Sequence, residues 1–186
     1  MKKFLALATL LVTLLALPLT AGAERSGWKS NTFPFKRLKV VYLKDLSRQD
    51  GGFQKAHPAF IRDDDAVRKT FLTLQRDLKK EGVTLYNNPV MLPDKQLRNT
   101  ITLQVQVNHV GTEPATAGAE VTTDKKGKKL TSAGTSYASL SFLATKNGTP
   151  IYQVTDERTS SEYTSDTLLA GIIRDAADEL TKNAKK

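Results

Sequence analysis

Residues 100–110 read TITLQVQVNHV and residues 135–145 read TSYASLSFLAT. In the first stretch Ile101, Leu103, Val105 and Val107 alternate with Thr102, Gln104, Gln106 and Asn108. Successive side chains of a strand point to opposite faces, so this is a strand with one face in a core and one in water. The second stretch repeats the pattern, with Ala138, Leu140, Phe142 and Ala144 inward. Lys146-Asn147-Gly148-Thr149 follows. Asn-Gly accepts positive φ at both central positions of a tight turn, which makes a hairpin with Ile151 to Thr159 as the return strand. The turn also explains the formal glycosylation sequon at Asn147.

The neighbouring segments supply what this sheet needs to be covered. Residues 164–182 (TSDTLLAGIIRDAADELTK) carry Leu169, Ile172, Ile173, Ala176 and Leu180 on one helical stripe, with Ser165 as the expected N-cap and Asp166 in the first turn. Residues 63–81 (DDDAVRKTFLTLQRDLKKE) place Val67, Phe71, Leu74 and Leu78 on another stripe. Asp63 to Asp65 suit the positive end of that helix and Lys79 and Lys80 the negative end, with Gly82 as the residue that closes it. A short strand follows at Val83 to Tyr86, and another is expected at residues 36–43 (KRLKVVYL). Residues 44–62 hold Asp50-Gly51-Gly52 and His57-Pro58 and read as loop. Residues 24–35 read as an extended lead-in whose Trp28, Phe33 and Phe35 can tuck against the domain.

The expected order is therefore β-α-β-β-β-β-α. Each helix has one apolar stripe and needs a sheet face. The expected fold class is α+β: a two-layer sandwich, one mixed or antiparallel sheet of about five strands, with two helices on one face. The expected domains are a signal peptide over 1–23, the lead-in over 24–35, and one α+β domain over 36–186.

The signal-peptide reading rests on a three-part pattern. Met1-Lys2-Lys3 is positive, Phe4 to Leu19 is apolar and uncharged, and Ala21-Gly22-Ala23 offers small residues before a cut at Glu24. The apolar run, about 16 residues, is shorter than the ~20 of a spanning helix. The chain of 186 residues has no cysteine, two histidines and a net charge of +9. Disulfide scaffolds, thiolate metal sites, cysteine nucleophiles and lipid attachment at a cysteine are excluded. The expected location is periplasmic or extracellular, in a bacterium.

Residues 111–134 (GTEPATAGAEVTTDKKGKKLTSAG) contain little that could enter a core. Two readings stay open: a projecting hairpin that turns near Asp124 to Gly127, or a mobile loop. Lys125, Lys126, Lys128 and Lys129 concentrate charge there, and an anionic surface is the binding partner they suit. The competing reading is a solvated tip that discourages edge pairing.

Candidate chemistry is sparse. A nucleophilic triad needs a histidine beside a positioned hydroxyl. His57 lies in a loop without a nucleophile motif, and strand parity puts His109 with Leu103, Val105 and Val107 at the core edge. Asp63, Asp64 and Asp65 point about 100° apart on a helix and cannot converge on one ion, so no metal site is expected. No phosphate-cradling loop and no cofactor motif is present. Acidic groups for hydrolysis would have to come from Asp156 or Glu157 with Glu162. Nucleic acid is not an expected partner, because aromatics are not interleaved with the basic cluster.

The run from Ile101 to Val110, then Leu140 to Thr159 across the Asn147-Gly148 turn, then the closing helix Thr164 to Lys182, resembles a group of bacterial exported envelope domains. These are the TolB N-terminal domain, CsgG, the LpoB-type activators and related uncharacterised small lipoproteins. The resemblance spans roughly residues 36–182 without a diagnostic motif, and the chain lacks the cysteine of the lipoprotein members. It implies an exported cell-envelope or secreted binding or assembly module with no catalytic residues to carry over. Its partners would be an envelope protein, an anionic lipid or a cell-wall polymer. The alternative is a carboxylate-dependent hydrolase of an envelope substrate.

Overall fold

The computed structural model of the protein describes residues 22–88, 90, 100–115, 122–123, 129–130 and 134–182. The strands are β1 (Ala23–Lys29), β2 (Val40–Arg48), β3 (Ile61–Arg62), β4 (Thr84–Tyr86), β5 (Thr100–Glu113), β6 (Thr122–Thr123), β7 (Lys129–Leu130), β8 (Thr135–Lys146) and β9 (Thr149–Ser160). The α-helices are α1 (Gly51–Ala56), α2 (Ala66–Lys80) and α3 (Ser165–Thr181), and a 3-10 turn spans Phe35–Arg37. The main sheet has seven strands in the order β1-β9-β8-β5-β2-β4, with β3 paired to the end of β5. It is mixed: β2 runs parallel to β4 and β5, and the other pairs are antiparallel.

The α+β class is as expected, but the sheet is larger than five strands and the element order differs. β2 begins after Leu38 and runs on to Arg48, through residues expected to be loop. The extended residues after Gly22 are hydrogen-bonded into the sheet as β1, on the outer edge of β9. Hydrophobic period does not reveal β1, because its sheet-inward positions are Arg25, Gly27 and Lys29. Arg25 bonds the carboxylates of Asp156 and Glu179 at 3.0 and 2.6 Å. The Lys29 ammonium lies 4.4 Å from the Phe35 ring centre and donates to the carbonyls of Glu179 and Lys182 at the end of α3. Charged groups at the negative end of a helix thus replace the apolar contacts that would have marked the strand.

α2 and α3 pack on each other and on one face of the sheet. Between them and the sheet lie Leu74, Leu78, Ile101, Leu103, Leu140, Phe142, Ile172, Ile173 and Leu180, all at most 1 % exposed. Each such side chain contributes ~1.5–3 kcal/mol through burial. Phe35 is fully buried in the same core, with Phe33 packed against it at a ring separation of 4.7 Å. Asp156 is a buried charge on this side, held by Arg25 and, at 2.7 Å, by Arg158.

The helix ends depart from expectation by a residue or more. α2 starts at Ala66, and the Asp63 carboxylate accepts the backbone N–H of Asp65 at 3.0 Å. Thr164, not Ser165, caps α3 by accepting from the N–H of Thr167. Gly82 closes α2 at φ +74°, and Asn147 and Gly148 turn the β8–β9 hairpin with φ of +51° and +81°. β6 and β7 form a separate two-stranded antiparallel ladder, Thr122 opposite Leu130 and Thr123 opposite Lys129. Among the described residues no helix is long and apolar enough to cross a membrane.

Candidate functional site

The face of the sheet turned away from α2 and α3 is the candidate site. Register fixes what it displays. Asp45 lies beside Gln104, Gln104 opposite Leu143, Leu143 opposite Gln153, and Gln153 opposite Trp28, which makes one row across five strands. The next row runs Ser47, Gln106, Ser141, Thr155 and Ser26. On the other side of the first row, Tyr86, Tyr42, Thr102 and Thr145 stand in register. Along the two central rows a groove of about 410 Å³ is lined by residues of β2, β5, β8 and β9.

The second row is internally bonded. The Gln106 amide donates to Gln49 at 3.1 Å and to Asn108 at 3.0 Å. Asn108 donates to Ser139 and Ser141, each at 3.0 Å, and the hydroxyls of Ser141 and Thr155 are 2.9 Å apart. The first row is different. Gln104 and Gln153 have no side-chain partner among the described residues, Leu143 is half-buried between them, and Trp28 is 46 % exposed.

One end of this face is roofed. The register shifts between Val107 and His109, so Asn108 is the extra residue of a β-bulge. Beyond a bulge the alternation changes phase. His109 therefore pairs with Ser139 and leaves the core side, while Val110 takes the inward place opposite Ala138. This corrects the expectation that His109 sits with Leu103, Val105 and Val107. It is still only 5 % exposed, because α1 covers it from the other side of the sheet. The Phe53 ring stacks between His109, at 3.8 Å and 13°, and His57, at 4.2 Å and 12°. Tyr137 meets Phe53 edge-on at 5.2 Å, and Phe60 does so at 5.0 Å. Gly111 lets Phe60 close in: a Cβ there would lie 2.6 Å from the Phe60 ring and 2.2 Å from the Ile61 carbonyl oxygen. The two expected helices, α2 and α3, share one face as expected; α1, in a segment expected to be loop, is an additional helix on the opposite face.

A carboxylate approaches each histidine of the cluster, but only His57 is bonded to one. His57 Nδ1 and the Tyr137 hydroxyl lie 3.1 and 3.2 Å from Glu113 Oε2. His109 Nε2 is 3.8 Å from Glu157 Oε1 and has no hydrogen-bond partner among the described residues. Burial, with repulsion from His57, pulls the His109 pKa down to about 4 against a smaller opposing pull from Asp50. Burial also pushes the Glu157 carboxyl up. At neutral pH His109 is uncharged, so its approach to Glu157 is not an ion pair.

The three carboxylates proposed for hydrolysis do not converge. Asp156 points toward the helices between two arginines, Glu157 points to the opposite face, and Glu162 is exposed in the turn before α3. Asp63 pairs with Lys69, Asp64 with Arg62 and Asp65 with Arg68, each at a different cation. Among the described residues no three acidic or imidazole groups gather as metal ligands would. Lys125, Lys126 and Lys128 lie outside the described residues, and Lys129 opens β7.

The histidine cluster was missed in the sequence because Phe53, His57 and Phe60 sit in a segment read as loop. Their spacing of four and three residues is a helical face, the one signal that could have found it.

No protein-family model matches the chain, and no curated protein matches it. Two solved structures are similar in outline, both of PelC dodecamers from Paraburkholderia phytofirmans. One shares 13% identity with a TM-score of 0.47, covering 90% of this chain and 100% of that one. The other, a single-substitution variant, shares 14% with a TM-score of 0.48, covering 89% of this chain and 100% of that one. At such scores neither neighbour says what this chain binds or assembles with.

Proposed function

We propose that the chain is an exported, non-catalytic binding or assembly module of the bacterial cell envelope, and that it engages its ligand through the open sheet face. One observation carries the reading. Across the three central strands the outward positions from Thr102 to Thr155 bear no charge, in a chain of which 25% of residues are charged. A face that merely met water would carry lysines and glutamates, as edge and surface strands commonly do. The apolar run from Phe4 to Leu19 and the small residues Ala21 to Ala23 support export, with the mature chain beginning at Glu24.

Fractionation of expressing cells and site-specific photocross-linking test this. The expected result is an extracytoplasmic chain starting at Glu24 that cross-links an envelope component from position 106 but not from position 75, on the far side of α2. Retention of Met1 inside the cell, or equal capture from both positions, overturns the reading.

A further inference from the structure

We infer that the ligand of the open face is an uncharged oligosaccharide strand, laid across the sheet along the row from Gln104 to Trp28. The inference rests on the binding-module reading and assigns the ligand class to that same face.

Sugars present two kinds of surface: C–H groups on the ring faces, and hydroxyls at the ring edges that donate and accept in adjacent pairs. A carboxamide has both donors and an acceptor and can meet such a pair with both ends. Gln104 and Gln153 offer those groups without a competing partner among the described residues. Trp28 and Leu143 lie in the same row and offer apolar surface for the ring faces. The adjacent row, tied together from Gln49 to Thr155, holds its hydroxyls and amides in place before any ligand arrives. Trp28 and Tyr42 flank the polar centre four inter-strand spacings apart, about 19 Å at ~4.8 Å each, a span for a chain of several sugar units.

Charge argues against other occupants. The charges in register with this patch are acidic: Asp45 at one margin, and Glu157 with Glu24 at another. An anionic polymer would be repelled there, although the whole chain is +9. A second copy of the chain would place like on like, so it is the competing occupant that the experiment must separate.

Trp28 is the chain's single tryptophan, so all of the chain's tryptophan fluorescence comes from a residue of this row. The purified chain is titrated with cellohexaose, maltohexaose and chitohexaose, and with heparin as the charged comparison. The expected result is a saturable blue shift with at least one neutral hexasaccharide, unchanged between ~0.05 and ~1 M salt because no ion pair is involved. Gln104→Ala and Gln153→Ala should each weaken binding about five- to tenfold, the loss of one hydrogen bond, with far-UV circular dichroism unchanged.

No shift with any neutral hexasaccharide overturns the proposal. So does a shift with heparin alone that salt abolishes, or a shift set by protein concentration alone, which would identify a second copy on the face. If sugars fail while the cross-link from position 106 persists, the ligand class falls and the binding module stands. If both fail, both readings fall.

Discussion

The two faces of the sheet use the same strands for opposite purposes. Toward α2 and α3, β5 and β8 present Ile101, Leu103, Val105, Leu140 and Phe142, closed off from water. Away from them, the alternate residues of the same strands from Thr102 to Asn108 and from Ser139 to Thr145 are amides and hydroxyls, with Leu143 the exception. The first face makes stability through area, and the second is nearly free of that duty. Residues on the second face can be chosen for recognition because replacing them costs little.

The contrast can be broken most forcefully from the inside. Phe142→Ala should cost ~3–5 kcal/mol, because the ring is 1 % exposed and its loss leaves a cavity between the sheet and α3. Urea denaturation reads it directly, and a loss under about 1 kcal/mol would mean that the core is not packed as described.

The roofed end of the outer face should give the next effect, and it depends on pH. The folded-state pKa of His109 lies near 4 against an ordinary value of 6.5. The unfolded chain therefore binds more protons in that window. Stability is full above pH 6.5, falls as pH drops toward 4, and levels off below it; the full loss is on the order of 3 kcal/mol. The groups facing His109 are His57 and Asp50 on the covering segment, Tyr137 on β8 and Glu157 on β9. His109→Phe keeps the ring stack on Phe53 and should remove this share of the acid sensitivity. Denaturation of both proteins at pH 7.5 and 4.5 checks it; equal acid losses would place the sensitivity elsewhere.

The smallest effect sharpens the comparison most. Gln153→Ser, on an exposed outward position, should change stability by no more than ~0.5 kcal/mol. A thermal shift as large as that of a core variant would show that the outer face is structural after all.

How far the sequence discloses this molecule follows from the same contrast. Strands β5, β8 and β9, the Asn147-Gly148 turn and α3 are legible because each has one apolar face and so a clear period. β1 is not, since its inward residues reach charges on β9 and α3 in place of apolar neighbours. α1 is six residues long and contributes Phe53 to a stack instead of a stripe. The bulge at Asn108 leaves no mark on the alternating pattern before it, yet it decides that His109 meets Phe53 and not the core. The candidate face was visible as the polar half of each strand. Its continuity from Asp45 to Trp28 needed the strand order, which no local pattern encodes.

That order also has a consequence for how the chain is assembled in time. β1 precedes the other described elements and its partner β9 comes late among them; Arg25 and Asp156, which bond to each other, are 131 positions apart. During synthesis or threading from the N-terminus, this first strand waits while nearly all the rest emerges. The β8–β9 hairpin is joined by two residues and has a short loop to close, whereas β1 needs the largest loop among the described strand pairs. The strand that carries Trp28 therefore cannot pair until β9 has emerged, and the edge of the outer face is completed only then.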